Sequence, residues 1–170
     1  MRQYGLIGLK LGHSFSARYF AEKFQREGLA EECSYALYEL PSIECVTDFI
    51  RNTDSLQGFN VTIPYKQDVI SHLKEIDPMA AAIGAVNTVV NRNGELYGYN
   101  TDFGGMSALI RRAGIDLQGK KVLILGTGGT SKTALAVATQ LGAASVWRVS
   151  RSPKPGVLTY AHVLEQHLDA

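Results

Sequence analysis

The sequence predicts an α/β protein: an N-terminal α/β domain with a mostly parallel sheet, followed by the first part of a second β-α-β unit. Two observations carry that expectation. Short apolar segments alternate with stripes of helical period along the 170 residues, the pattern of strands joined by crossover helices. A glycine-rich turn at Gly126–Ser131 also stands between an apolar run and a helical stretch. Hydrophobic residues make up 45% of the chain, enough to bury a core and to exclude disorder.

Tyr4–Leu9 reads as the first strand, ended by a loop containing Gly12. Ala17, Phe20, Ala21 and Phe24 recur at helical spacing and are stopped by Gly28. Tyr35–Leu40 is a second strand, and Ile43, Val46, Phe49 and Ile50 form the next helical stripe after Pro41. Phe59–Ile63 is a third strand, with Pro64 expected near the start of a helix that buries Val69, Ile70 and Leu73. Asp77-Pro78 predicts an N-cap followed by a first-turn proline, opening a helix to Ala82. Val86–Asn91 and Glu95–Tyr99 flank Asn93-Gly94, a hairpin signal. Phe103, Met106, Leu109 and Ile110 mark a helix over 103–113, closed by Gly114. Lys121–Leu125 is expected to be a buried strand, followed by a helix to about Leu141 and a strand at Ser145–Ser150. Ser152–Gly156 is a loop, and Tyr160–Leu168 is expected to be helical. The domain junction falls near Thr101-Asp102, giving 1–101 as one domain and 102–170 as a connecting helix with an incomplete second domain.

Charge is divided along the chain. Leu117–Leu164 holds Lys120, Lys121, Lys132, Arg148, Arg151 and Lys154 without an acidic residue, a balance of +6, whereas residues 1–116 balance at −3. A basic segment beside a glycine turn suits a phosphate-bearing ligand. Trp147 and Tyr160 are its only aromatics, too few for a nucleic-acid surface, so no nucleic-acid partner is expected. No apolar run approaches the ~18 residues of a membrane span, so no membrane association is expected. The first residues lack the apolar region of a signal peptide. Cys33 and Cys45 are too few for a disulfide framework and have no zinc-like spacing, so a cytoplasmic location and no metal are expected.

Gly126, Thr127, Gly128, Gly129 and Thr130 form a turn where a pyrophosphate can approach the backbone at a helix N-terminus. The third glycine of the usual pattern is Ser131, still small. The same stretch, G-T-G-G-T-S-K-T, lies one residue from a phosphate-binding Walker A loop, but lacks its second glycine and any strand ending in Asp to hold magnesium. The following strand ends in Ser150, Arg151 and Ser152, with Lys154 close behind. A carboxylate there would bind ribose hydroxyls and repel a 2′-phosphate, whereas a guanidinium pairs with that phosphate, so NADP is the expected cofactor.

The first hundred residues carry the substrate candidates. Ser14 and Ser16, two hydroxyls at i, i+2, can grip a carboxylate, although Ser16 also reads as a plain N-cap. Asn60 and Thr62 share a strand face, and Lys66 falls in the expected first helical turn, where the helix dipole opposes it. Asn87 heads an apolar strand. Asp102 follows Tyr99-Asn100-Thr101 and is most simply the N-cap of helix 103–113.

The blocks HSFS, NVTIPYK, GAVNT, GYNTD and GTGGTSKT, in this order and spacing, resemble shikimate dehydrogenase from Tyr4 to about Lys154. The resemblance implies a substrate domain followed by a Rossmann-like NADP-binding domain. It implies reversible NADPH-dependent reduction of 3-dehydroshikimate to shikimate in aromatic amino-acid biosynthesis. It assigns Ser14, Ser16, Thr62, Asn87 and Asp102 to substrate, with Asn60 close by, and Lys66 and Asp102 to catalysis. Gly126 to Thr130 would hold the pyrophosphate, and Ser150, Arg151, Ser152 and Lys154 the 2′-phosphate. A monomer or homodimer is expected. The chain departs from the family at Ala17-Arg18-Tyr19-Phe20-Ala21, where Pro-x-x-His-Asn is usual, and at Ser150-Arg151-Ser152, where Asn-Arg-Thr is usual. Family chains also continue well past residue 170, with later nicotinamide-side loops and a substrate-contacting glutamine. The alternatives are a quinate/shikimate relative, or a fragment that binds shikimate without catalysis.

Overall fold

Apolar strands with buried residues build the first of two units, Met1–Asn100 and Thr101–Ala170, in a computed structural model that describes residues 1–165. The strands of the first unit are β1 (Arg2–Gly8), β2 (Cys33–Glu39), β3 (Leu56–Val61), β4 (Glu75–Ile76), β5 (Thr88–Arg92) and β6 (Glu95–Tyr99). They lie in the order β2-β1-β3-β5-β6-β4. β1 pairs parallel with β2 and β3, and β4 pairs parallel with β6, while β5 is antiparallel to β3 and β6. Helices α1 (Ser16–Arg26), α2 (Val46–Asn52) and α3 (Pro78–Ile83) complete the unit.

One face of the sheet carries the main hydrophobic core: Ile7, Phe59, Val61 and Val89 pack with Val46, Phe49, Val69 and Ala80. On β3 the core takes Phe59 and Val61, so the two-residue period puts Gly58 and Asn60 on the opposite face. There an aromatic layer forms, with Phe20 stacked on Tyr35 at 4.3 Å between ring centroids and Phe24 at 6.2 Å from Tyr4. The α1 stripe expected from sequence packs through the rings of Phe20 and Phe24.

Several local expectations hold. The Asp77 Oδ2 accepts hydrogen bonds from the backbone of Met79 and Ala80, capping α3 ahead of Pro78. Asn93 and Gly94 both have positive φ, 55° and 89°, as a two-residue hairpin turn requires.

Others are corrected. β3 ends at Val61, and 62–67 is a turn containing a cis Ile63–Pro64 bond, so no helix begins at Pro64. Helical bonding starts later, as a 3-10 segment Asp68–His72. Lys66 thus lies in a turn, and the helix dipole does not oppose it. Asn87 precedes β5 instead of heading it. The strand β4, two residues long, carried no readable period.

The second unit holds α4 (Thr101–Arg112), β7 (Lys121–Leu125), α5 (Gly129–Gln140), β8 (Ser145–Ser150), β9 (Leu158–Thr159) and α6 (Tyr160–Glu165). Its strands run parallel in the order β7-β8-β9. α5 buries Val137 and Ala138, and α4 packs against α5. β7 is half-buried, with Leu125 68% exposed, rather than the buried strand expected from its composition. Among the described residues it pairs with β8 alone, and an edge strand keeps one flank open. The residue pair β9 went unrecognised because Leu158-Thr159 is too short to show alternation. The expected helix Tyr160–Leu168 is seen to Glu165, and the rest lies outside the described residues. On the buried face of α4, the Ser107 Oγ has no hydrogen-bond partner among the described residues.

Candidate ligand and cofactor sites

In the first unit three of the candidate residues, Ser16, Asn60 and Asn87, join a polar network on the aromatic face of the sheet. Asn60 and Thr88 are direct partners in the β3–β5 register. The Tyr35 hydroxyl donates to Asn60 Oδ1 at 2.8 Å, and Asn60 Nδ2 donates to the Asn87 carbonyl at 3.2 Å and to Thr88 Oγ1 at 3.1 Å. Thr88 Oγ1 in turn donates to Asn87 Oδ1 at 3.0 Å. Burial pushes the Tyr35 hydroxyl up to about 12, an effect partly offset by its hydrogen bond with Ser16. Ser16, Tyr35, Asn60, Thr88 and Asn87 are therefore linked by hydrogen bonds. Sequence reasoning singled out Ser16, Asn60 and Asn87 but missed Tyr35 and Thr88. Neither carries a local signal, because both act through the pairing of strands distant in sequence.

Asn87 is buried and tied on both sides. Its N–H donates to the Tyr99 carbonyl at 3.0 Å, and its carbonyl accepts from Val61 at 2.9 Å. Ser14 Oγ accepts from the Ser16 N–H at 3.2 Å, a turn that closes the loop before α1. Ser16 is already the first helical residue, and the N-cap position belongs to Phe15, so the plain N-cap reading of Ser16 does not hold. Thr62 follows β3 with its N–H on the Ile7 carbonyl at 3.0 Å.

The half-buried Lys66 is held through its backbone neighbours. The Lys66 carbonyl accepts from Val86 at 2.7 Å, and the buried Tyr65 hydroxyl donates to the Leu40 carbonyl at 2.6 Å. A turn fixed at these two points sets where the ammonium group starts from, a job that neither the dipole nor a regular helix performs. Asp102 lies within the first turn of α4, one residue inside the helix rather than at its N-cap. A carboxylate there is stabilised by the positive end of the helix dipole.

In the second unit the strand–turn–helix brings together Gly126, Thr127, Ser150, Arg151, Ser152 and Lys154 around a cleft of about 400 Å³, with Leu125, Val149 and Tyr160. Tyr160 is an addition that the sequence did not single out for this site. Gly128, Gly129 and Thr130 stand at the start of α5. Gly126 has φ 132°, which a side chain would strain, and an added Cβ at Gly126 or Gly128 would meet nothing within 4 Å. The backbone of this turn is therefore open to an approaching group. Lys154 Nζ donates to Thr127 Oγ1 at 3.1 Å, spanning the cleft, and Ser150 Oγ accepts from the Ser152 N–H at 3.3 Å. Arg151 is exposed. Open glycine backbone, a helix N-terminus, hydroxyls and two cations form a donor set that fits a phosphate-bearing dinucleotide. Only residues 126–128 separate β7 from α5, too few to wrap a phosphate chain as a Walker A loop does. Among the described residues no cluster of His, Cys, Asp or Glu could hold a metal, and no helix is long and apolar enough to cross a membrane.

Comparison with known proteins gives these sites a context. Residues 6–89 match the family described as shikimate dehydrogenase substrate binding domain. An NADP(+) shikimate dehydrogenase of Clostridium perfringens is 39% identical over 157 residues, covering 89% of this chain and 55% of that protein. The crystal structure of shikimate dehydrogenase 1 from Peptoclostridium difficile superposes with a TM-score of 0.84 at 38% identity, over 94% of this chain and 60% of that one. The Thermus thermophilus shikimate 5-dehydrogenase, solved in complex with NADP(H) and shikimate, gives 0.80 at 30% identity, over 99% and 62%. The chain thus spans a little over half the length of the relatives it matches.

Proposed function

We propose that this chain, whose residues 6–89 belong to the shikimate dehydrogenase family, forms the substrate domain and the first part of the cofactor domain of an NADP-dependent dehydrogenase. The reaction is the reversible reduction of 3-dehydroshikimate to shikimate, a step of aromatic amino-acid biosynthesis. The observation that carries the reading is the gathering of Ser16, Asn60, Thr88 and Asn87 into one polar network within the matched domain. Neutral amides and hydroxyls suit a ring bearing several hydroxyl groups, because each can donate or accept without the cost of burying a charge.

Ser14 and Ser16 hold the substrate carboxylate, and Thr62 and Asn87 hold ring hydroxyls. Lys66, as ammonium, hydrogen-bonds the ring oxygen that gains alkoxide character and delivers a proton to it. Asp102 is assigned to proton exchange with that lysine on its family motif. In the reverse direction Lys66 accepts the hydroxyl proton, so the same group serves as acid and base. NADPH, when bound, supplies the hydride. Gly126 to Thr130 hold its pyrophosphate, and Ser150, Arg151, Ser152 and Lys154 its 2′-phosphate, with Arg151 and Lys154 selecting NADP over NAD.

The test follows NADPH absorbance with shikimate and NADP⁺, with NAD⁺ and quinate in parallel, on this chain and on a version extended to the length of its relatives. Calorimetry measures shikimate binding to both. Turnover with NADP⁺ and shikimate supports the reading. Binding without turnover at either length supports a second reading, a fragment that binds shikimate without catalysis. Neither binding nor turnover at either length overturns both.

A further inference from the structure

We propose that Tyr35 is a positioning residue for the ligand site, setting the orientation of the Asn87 amide through Asn60 and Thr88; this rests on the reading of Asn87 as a ligand group. The directions of the hydrogen bonds follow from chemistry. The Asn87 backbone carbonyl can only accept, so the Asn60 atom facing it at 3.2 Å is the amide nitrogen. Asn60 Oδ1 is then the end that faces Tyr35, and the phenol must donate to it, at 2.8 Å. With its nitrogen also on Thr88 Oγ1, Asn60 supplies that hydroxyl with an N–H. Thr88 turns its own O–H to Asn87 Oδ1. The amide oxygen of Asn87 is thereby held on Thr88, which fixes which end of the amide carries the oxygen.

Tyr35 is itself held in place. Its ring stacks on Phe20 with an interplanar angle of 12°, and Ser16 hydrogen-bonds its hydroxyl. One phenol therefore stands behind Ser16 at one end of the network and Asn87 at the other. Both polar ends of the Asn60 side chain are engaged within the network, so Asn60 also acts through its neighbours.

Tyr35→Phe keeps the ring and removes the donor. Side-chain amide resonances of Asn60 and Asn87, followed by nitrogen-edited NMR without ligand, are expected to shift while methyl resonances of the opposite-face core stay in place. Shikimate affinity is expected to fall about five- to tenfold, the effect of one lost hydrogen bond. Thr88→Val, which breaks the relay at its other end, is expected to weaken binding similarly, and the double variant to be little worse than either single one. An unmoved Asn87 amide in both variants overturns the proposal, as does additive loss in the double variant or shikimate affinity within twofold of the parent. A lower melting temperature with an unmoved Asn87 amide also overturns it. If Tyr35→Phe fails to fold, Thr88→Val decides by the same amide readout. Should the parent bind no shikimate at either length, the functional reading fails. The ligand-free amide shifts then still decide whether Tyr35 sets Asn87.

Discussion

Lys66 apart, the candidate ligand groups of the first unit are neutral amides and hydroxyls, several of them hydrogen-bonded in a network from Ser16 through Tyr35 and Asn60 to Asn87. In the second unit the candidate groups are a bare glycine turn and exposed cations, with Lys154 reaching Thr127 across an open cleft. The difference follows from what each must recognise. A small polyhydroxylated ring is distinguished by the direction of hydrogen bonds, and direction has to be fixed in advance by neighbouring side chains. A phosphate is distinguished by charge, which acts over distance and tolerates mobile lysine and arginine side chains. Geometry therefore sits on strands in the first unit, and charge on the loop after β8 in the second.

Lys66→Ala should break the first site most severely. Turnover of the extended chain is expected to fall about 10²–10⁴-fold, or ~3–5 kcal/mol, with shikimate binding changed far less. A loss in shikimate affinity without a loss in turnover would recast Lys66 as a binding group.

Arg151→Ala tests the charge-based site. NADP⁺ affinity is expected to fall by about 1.5–3 kcal/mol, roughly ten- to 150-fold, with NAD⁺ affinity little changed. Equal losses for both cofactors would remove Arg151 from 2′-phosphate recognition.

Tyr65→Phe leaves every candidate ligand group in place but removes a buried hydrogen bond to the Leu40 carbonyl. It is expected to cost about 1–3 kcal/mol in denaturant unfolding. If catalysis falls with stability, the turn carrying Lys66 depends on that anchor.

A pH series sharpens the comparison further. The Tyr35 hydroxyl is raised from 10.0 to about 12, so the unfolded chain loses this proton first as pH rises. Its contribution to stability is full below pH 10 and is lost as pH rises to about 12. Melting temperature should drop over that window, and Tyr35→Phe should flatten the drop. An identical slope in the variant would assign the fall to other groups.

The smallest effect is expected at Ser107. Its buried hydroxyl has no partner among the described residues, and alanine is a better helix former. Ser107→Ala should stabilise the second unit by about 0.5–1 kcal/mol, read by denaturant unfolding. A destabilised variant would mean that this hydroxyl has a partner in solution.

Amino-acid order alone placed the glycine turn between β7 and α5, the capped start of α3, the β5–β6 hairpin and the basic stretch ending at Lys154. Each of these is decided within a few residues, by backbone freedom, local capping or charge, so a linear reading reaches them. Most of the candidate site residues were named for the same reason, since hydroxyls, amides and a lysine stand out beside apolar strands. Sequence could not say that Lys66 sits in a turn rather than a helix, because the expected helical stripe of Val69 and Ile70 is equally served by the 3-10 segment Asp68–His72. Nor could it find Tyr35, whose role depends on β1 separating β2 from β3 in the sheet and on the stacking of Phe20. A hydrogen bond between residues 25 positions apart exists only once the sheet order and register are set, and those are decided by packing over the whole unit.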